Sequence, residues 1–289
     1  MLGVSCTSIG VALVLLLVMI CTLNESFRYR AKFLIFGLES LFFTIICLPF
    51  MFFNIGSWKN ALVPAWLLSK STNKVLGIKF EVRGKENIIH DSGCIVLINH
   101  QSMLDLGVLA QLWLVMERCT VISKKEILYF GPFGLAAWLW GTIFIDRGNV
   151  EESRKVVNST CEYIRESKMK VLFFPEGKRH SDNTLLPFKK GAFHLAITSQ
   201  VPILPVIVSK YFFLNSKSKR FGSGRERRKK KKKKKEKTTH FSGPIYIYIY
   251  IYIYIYIYIY IYISGKRETS AANKETRYCD LIDKIQYYL

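Results

Sequence analysis

Paired cysteine motifs are missing from this sequence. Its seven cysteines (Cys6, Cys21, Cys47, Cys94, Cys119, Cys161, Cys279) are odd in number, scattered and mostly set in apolar runs. With no CxxC and no Cys/His pairing, the spacing argues against a disulfide framework and against a zinc site. Acidic residues are also scarce: 21 Asp and Glu stand against 42 Lys and Arg, a formal net charge of +21. Such a surplus suits an anionic membrane surface, a phosphorylated substrate or nucleic acid, and does not choose among them. It is unevenly spread, because Arg225 to Lys237 (RERRKKKKKKKEK) alone holds eleven basic and two acidic residues.

What is present is a chain of 289 residues, half of them apolar, enough for one or two domains with a sizeable core. Val4 to Leu23 is twenty residues without a charge. As a helix it covers a hydrocarbon core of about 30 Å. No basic residue precedes it and no small-x-small site leads into a soluble start, so it is expected to be retained rather than cleaved as a signal peptide. Phe33 to Ile55 is a second apolar segment, interrupted by Glu39 and Pro49, that reads as a span or a re-entrant leg. Arg28, Arg30 and Lys32 are expected in a short loop between the two, on the cytosolic side by the positive-inside rule. Residues 1–76 are therefore read as N-terminal membrane-anchoring helices that hold the following domain at a bilayer, where lipid substrates are within its reach.

From Gly77 the pattern changes to short β-branched runs alternating with helical stretches, which is the signature of an α/β domain over residues 77–224. Expected strands are Ile78 to Val82, Cys94 to Ile98, Cys119 to Ser123, Thr142 to Ile145, Val171 to Phe174 and Ile203 to Val208. Expected helices include Glu151 to Ser167, with an apolar stripe of Val156, Val157, Cys161 and Ile164, and Phe188 to Thr198.

Polar clusters follow three of these strands: NHQSMLD (Asn99 to Asp105), DR (Asp146, Arg147) and PEGKRH (Pro175 to His180). The carboxyl edge of an open α/β sheet is where ligands bind. His100 in a strand-to-helix loop and Asp105 in the first turn of the next helix are placed to meet. A carboxylate on one ring nitrogen fixes the tautomer and leaves the other to take a proton. The competing reading is a capping box, with Ser102 capping the helix, Asp105 closing the box and His100 a loop residue. Arg147, Lys178 and Arg179 either offer phosphate-binding cations or are solvated surface charges, and Lys124 and Lys125 after another strand either add to the positive field or are solvated likewise.

The order and spacing of these clusters resemble the glycerolipid acyltransferases, most closely the 1-acyl-sn-glycerol-3-phosphate (lysophosphatidate) acyltransferases. The family's NHxxxxD box is met by Asn99, His100 and Asp105, and its GxxFxxR box by Gly141, Phe144 and Arg147. Its FPEGTR box is met by Phe174, Pro175, Glu176, Gly177 and Arg179, with Lys178 in place of the usual threonine. VPILPV (Val201 to Val206) meets the fourth, proline-containing box, and LPFKKGAFHLA (Leu186 to Ala196) is similar too. The resemblance covers Gly77 to Gly224, about half the chain.

It implies an α/β, membrane-anchored acyltransferase domain with N-terminal hydrophobic helices. The implied reaction moves an acyl group from acyl-CoA to the sn-2 hydroxyl of lysophosphatidate, making phosphatidate. His100 is implied as general base and Asp105 as its orienter. Arg147, Glu176, Gly177 and Arg179 are implied to bind phosphate and glycerol, with Lys178 adding a cation. No metal and no tightly bound cofactor is implied, acyl-CoA being a co-substrate. The implied partners are lysophosphatidate and membrane lipid, with no specific nucleic acid, and the implied location is integral to the endoplasmic reticulum membrane. Another lysophospholipid or glycerol 3-phosphate stays open as acceptor.

After Arg220 to Gly224 (RFGSG) the resemblance stops, where the family continues with another strand and a closing helix. Residues 225–289 are a low-complexity C-terminal tail: seven lysines, Lys229 to Lys235, then strict Ile-Tyr alternation from Ile245 to Ile263. An adenine tract and an adenine/thymine repeat read as codons yield such runs, so the tail is expected to be translated noncoding sequence without a task. Otherwise the lysines bind anionic lipid or, nonspecifically, nucleic acid, and the run crosses a bilayer. Its β-branched and aromatic composition favours a strand with one isoleucine face and one tyrosine face, an aggregation hazard if unpaired. A core left open by this truncation would make the chain a catalytically silent membrane protein, whereas the complete set of box residues favours activity.

Overall fold

Five uninterrupted apolar residues, Cys94–Ile98, make a wholly buried strand at the centre of the molecule, the composition of a parallel strand covered on both faces. The computed structural model describes residues 9–10, 24–146, 148–180, 186–222 and 245–249. The strands are β1 (Phe80–Arg83), β2 (Cys94–Ile98), β3 (Cys119–Lys124), β4 (Ile143–Ile145), β5 (Lys170–Phe173), β6 (Ile203–Val208), β7 (Leu214–Asn215), β8 (Arg220–Phe221) and β9 (Ile245–Ile249). The helices are α1 (Glu25–Met51), α2 (Leu62–Val75), α3 (Asp105–Val115), α4 (Gly131–Leu139), α5 (Val150–Ser167) and α6 (Gly191–Ser199).

Seven strands form one sheet in the order β1-β9-β6-β2-β5-β3-β4. The five from β6 to β4 are parallel. Two expected strands, Cys94–Ile98 and Ile203–Val208, keep their limits, and the other four shift by one or two residues at one or both ends. Period-two alternation in β2 sends Cys94, Val96 and Ile98 to a core shared with α1 to α4, and Ile95 and Leu97 to a second core with α5 and α6. Cys161 and Ile164 of the expected stripe are buried in that second core. Helix α6 begins at Gly191, three residues later than expected, with Phe188 buried ahead of it.

The N-terminal expectation needs correcting. Arg28, Arg30 and Lys32 lie within α1 instead of in a loop. Asn24 caps that helix through its side chain, 3.1 Å from the Phe27 N–H, so the helix starts before the basic residues. Lys32 then reaches the carbonyls of Phe221 and Gly222 at 3.1 and 2.8 Å, which ties α1 to the end of β8. The helix runs on through Pro49 to Met51. With a following 3₁₀ turn it spans Glu25–Asn54, among the described residues the one helix long and apolar enough to cross a membrane. The segment Val4 to Leu23 lies outside the described residues apart from Ile9 and Gly10.

Strand β9 comes from the segment expected to form a separate tail, and it sits inside the sheet. It is parallel to β1, with Phe80 opposite Ile245, and antiparallel to β6, with Val206 opposite Ile249. Ile245 and Ile247 face the core, 1% and 0% exposed, while Tyr246 and Tyr248 lie on the half-exposed face. There the Arg83 guanidinium stacks 3.9 Å from the Tyr246 ring. The strand composition of the repeat is thus realised in its first five residues, Ile245–Ile249, paired on both edges. Residues 225–244 and 250–289 lie outside the described residues.

Candidate active site

β2 ends at Ile98, and the next residues are fastened from both neighbouring strands. On the β6 side Asn99 copies a backbone pair: its Nδ2 donates to the Val208 carbonyl at 3.1 Å and its Oδ1 accepts the Val208 N–H at 2.7 Å. Gln101 adds a second bond to the Val208 carbonyl, at 2.9 Å. On the β5 side the His100 N–H donates to Glu176 Oε1 at 2.8 Å, and the His100 carbonyl accepts the His180 N–H at 2.8 Å. His100 is therefore held by its own backbone as well as by its neighbours on either side.

Helix α3 starts at Asp105, whose carboxylate turns back toward this loop. Asp105 Oδ2 lies 2.7 Å from His100 Nδ1 and accepts the N–H groups of Gln101 and Ser102 at 2.7 and 2.9 Å. Only half of the capping box is realised: Asp105 accepts the Ser102 N–H, but Leu104 stands at the N-cap with no side-chain cap, and the same carboxylate takes the histidine. Asp105 is buried to 1% exposure. The His100 side chain keeps 22% of its surface. Among the described residues its Nε2 makes no hydrogen bond, and the ring stacks on Phe174 at 4.0 Å. With Nδ1 as donor to the carboxylate, Nε2 is the acceptor and can take a proton from a hydroxyl.

The turn after β5 carries the second cluster. Glu176 is buried, 4% exposed, and both its oxygens accept backbone N–H groups, Oε1 from His100 and Oε2 from Leu186 at 3.1 Å. Gly177 has φ +70°, and a Cβ there would stand 2.6 Å from the Lys189 side chain, so the turn needs glycine. Lys178 and Arg179 follow on the exposed side of the turn. The structure thus brings His100, Asp105 and Glu176 into one bonded group, with Gly177, Lys178 and Arg179 continuing from it.

Lys124 is exposed at the end of β3, two strands from β2. Its neighbour Lys125 pairs with Glu152 at 3.2 Å and Asp146 at 3.7 Å. Arg147 lies outside the described residues. Gly141, at the head of its box, has φ +81°, and a Cβ there would meet the Gly56 carbonyl oxygen at 2.6 Å. Sequence reasoning missed Tyr211, whose hydroxyl donates to Asp105 Oδ1. Burial, then the charge of Asp105, pushes this phenol well above its ordinary range, so it stays a donor. A lone tyrosine after VPILPV gave no local signal. An apolar crevice among α1 to α4, lined by Ala65, Leu68, Leu106, Ala110 and Phe133, reaches the residue next to Asp105.

Residues 79–209 match the family model described as Acyltransferase. The chain is 36% identical over 201 residues to mouse 1-acyl-sn-glycerol-3-phosphate acyltransferase alpha, covering 69% of this chain and 70% of that protein. It is 35% identical over 220 residues to the human beta enzyme of the same name, covering 74% and 77%. Among solved structures, the 1-acyl-sn-glycerophosphate (LPA) acyltransferase PlsC from Thermotoga maritima aligns over 90% of this chain and 97% of its own, with TM-score 0.52 and 18% identity, a likeness of fold.

Proposed function

The chain belongs to the 1-acyl-sn-glycerol-3-phosphate acyltransferases, and from that premise we propose how its own residues carry the transfer. The reaction acylates the sn-2 hydroxyl of lysophosphatidate to give phosphatidate. Acyl-CoA is the donor in this reading. His100 Nε2 takes the hydroxyl proton as the oxygen attacks the thioester carbonyl. The tetrahedral adduct collapses, the C–S bond breaks, and the coenzyme A thiolate recovers the proton from His100. Asp105 holds the ring and stabilises the imidazolium between the two proton transfers. A thioester is already activated, so proximity and a base suffice and the chemistry asks for no metal.

Arg147, Lys178, Arg179 and Lys124 bind the phosphate as charge-assisted donors, and Gly177 lets the turn come close to the glycerol. Glu176 serves this site by holding the His100 loop. The exposed apolar side chains of α1 and its end, among them Leu34, Phe42, Phe50 and Phe53, enter the bilayer of the endoplasmic reticulum with Trp66 and Trp138. An active chain is supported by β9, which closes the sheet that the sequence alone leaves open.

The observation that carries this reading is the 2.7 Å pair between His100 Nδ1 and a buried Asp105 with Nε2 left for substrate. The test is transfer from labelled acyl-CoA to lysophosphatidate in membranes bearing this chain, beside His100→Ala at matched expression. Activity is expected in the first and loss to background in the second. Equal inactivity of both, while a version with a family-like C-terminus works, would establish the silent reading instead.

A further inference from the structure

We propose that Tyr211 is a positioning residue for the transfer reaction: its hydroxyl holds Asp105 Oδ1 so that Oδ2 faces the His100 ring. This rests on the reading of His100 as the base. Asp105 Oδ2 has three partners, the His100 ring and the N–H groups of Gln101 and Ser102. All three belong to the loop that Asp105 itself closes, so they turn with it. Tyr211, 106 positions away and 3% exposed, grips the other oxygen from outside that loop.

Its own placement is built. Tyr211 follows β6, and the Ser209 between them is clamped to β9: its N–H donates to the Tyr246 carbonyl at 2.9 Å, and its hydroxyl accepts the Tyr246 N–H at 3.0 Å. The adjacent Val208 holds Asn99 and Gln101, the residues on either side of His100. One short segment therefore sets both the loop of the base and the carboxylate that orients it. The other ionisable residues bonded to this loop are Glu176 at the His100 N–H and His180, through its backbone N–H, at the His100 carbonyl, with the exposed Lys178 and Arg179 between them in sequence.

Removing the hydroxyl leaves the Asp105 charge concentrated toward the imidazole, which favours the protonated ring. Tyr211→Phe is expected to raise the titration midpoint of the His100 ring and to lower kcat about 10- to 100-fold, the range for a buried hydrogen bond to a charged group, with KM unchanged. The decisive measurement needs no turnover: NMR titration of the histidine ring protons of the full chain in detergent, with the His100 signal identified by its absence in His100→Ala. Placing 3-fluorotyrosine at 211, a stronger donor, is expected to move the midpoint the opposite way. Unmoved midpoints in both chains overturn the proposal, as does a Tyr211→Phe chain that melts lower yet titrates and turns over like wild type. Should Tyr211→Phe not fold, the fluorotyrosine chain decides alone. Shifted midpoints in a wild-type background that transfers no acyl group would sink the assignment of function and leave the Tyr211 coupling standing.

Discussion

Glu176 and His100 stand 76 positions apart, and the carboxylate of the first accepts the backbone N–H of the second at 2.8 Å. A buried carboxylate taking backbone donors with both oxygens acts as a splint between two strand ends. Glu176→Gln offers one acceptor and turns an amide N–H toward the remaining backbone donor. The expected cost is about 1–3 kcal/mol of stability and at least a roughly tenfold fall in kcat, from a displaced His100. Thermal melting beside kcat checks it, and wild-type values for both would show that the splint is dispensable.

The first five residues of the Ile-Tyr repeat join β1 to the rest of the sheet, since β1 pairs with β9 and β9 with β6. Proline at 248 removes a ladder donor in a strand paired on both edges and clashes with its neighbours. Tyr248→Pro is expected to lower the melting temperature by several degrees and activity at least roughly tenfold. Lys231→Ala, in the lysine run, serves as the control with wild-type values. Identical behaviour of the two variants would show that β9 carries no part of the fold.

Burial pushes the Cys94 thiol up to about 12, and the Cys119 thiol well above its ordinary range. Thiolate, not thiol, reacts with alkylating agents, so both cysteines are expected to resist iodoacetamide at pH 8 in the native chain and to react on denaturation. Mass spectrometry of the labelled peptides reads this directly. The linkage has a definite sign: the unfolded thiol releases its proton near pH 9, while folded Cys94 keeps it to about 12. Its contribution to stability is therefore whole below pH 9 and falls across that interval.

Phe50 and Phe53 are 71% and 85% exposed at the end of α1. Replacing both with serine removes apolar area worth about 1.5–3 kcal/mol for each ring that lipid would bury. Partition of the chain onto phosphatidylcholine vesicles is expected to fall by at least about tenfold, with activity on detergent-solubilised lysophosphatidate kept. Unchanged partition would place the bilayer on another face.

The chemistry of the site was legible because its signals are local. His100 and Asp105 are five residues apart, and a strand-to-helix junction at that spacing puts imidazole and carboxylate within reach of each other. The strands were legible for a similar reason, since short β-branched apolar runs such as Ile203–Val208, below the usual length of a buried helix, favour inner strands. What the sequence could not state was which ends would meet. That β2 lies between β5 and β6 decides that Glu176 splints the His100 backbone and that Tyr211 reaches Asp105. The basic residues of α1 were misplaced because helix capping at Asn24 and the carbonyls at the end of β8 outweigh charge as a loop signal. The Ile-Tyr run shows the division most clearly. Its period of two determined a strand with an isoleucine face, while only the open edges of β1 and β6 gave that strand a place, because a strand's hydrogen bonds must be met by neighbours remote in the chain.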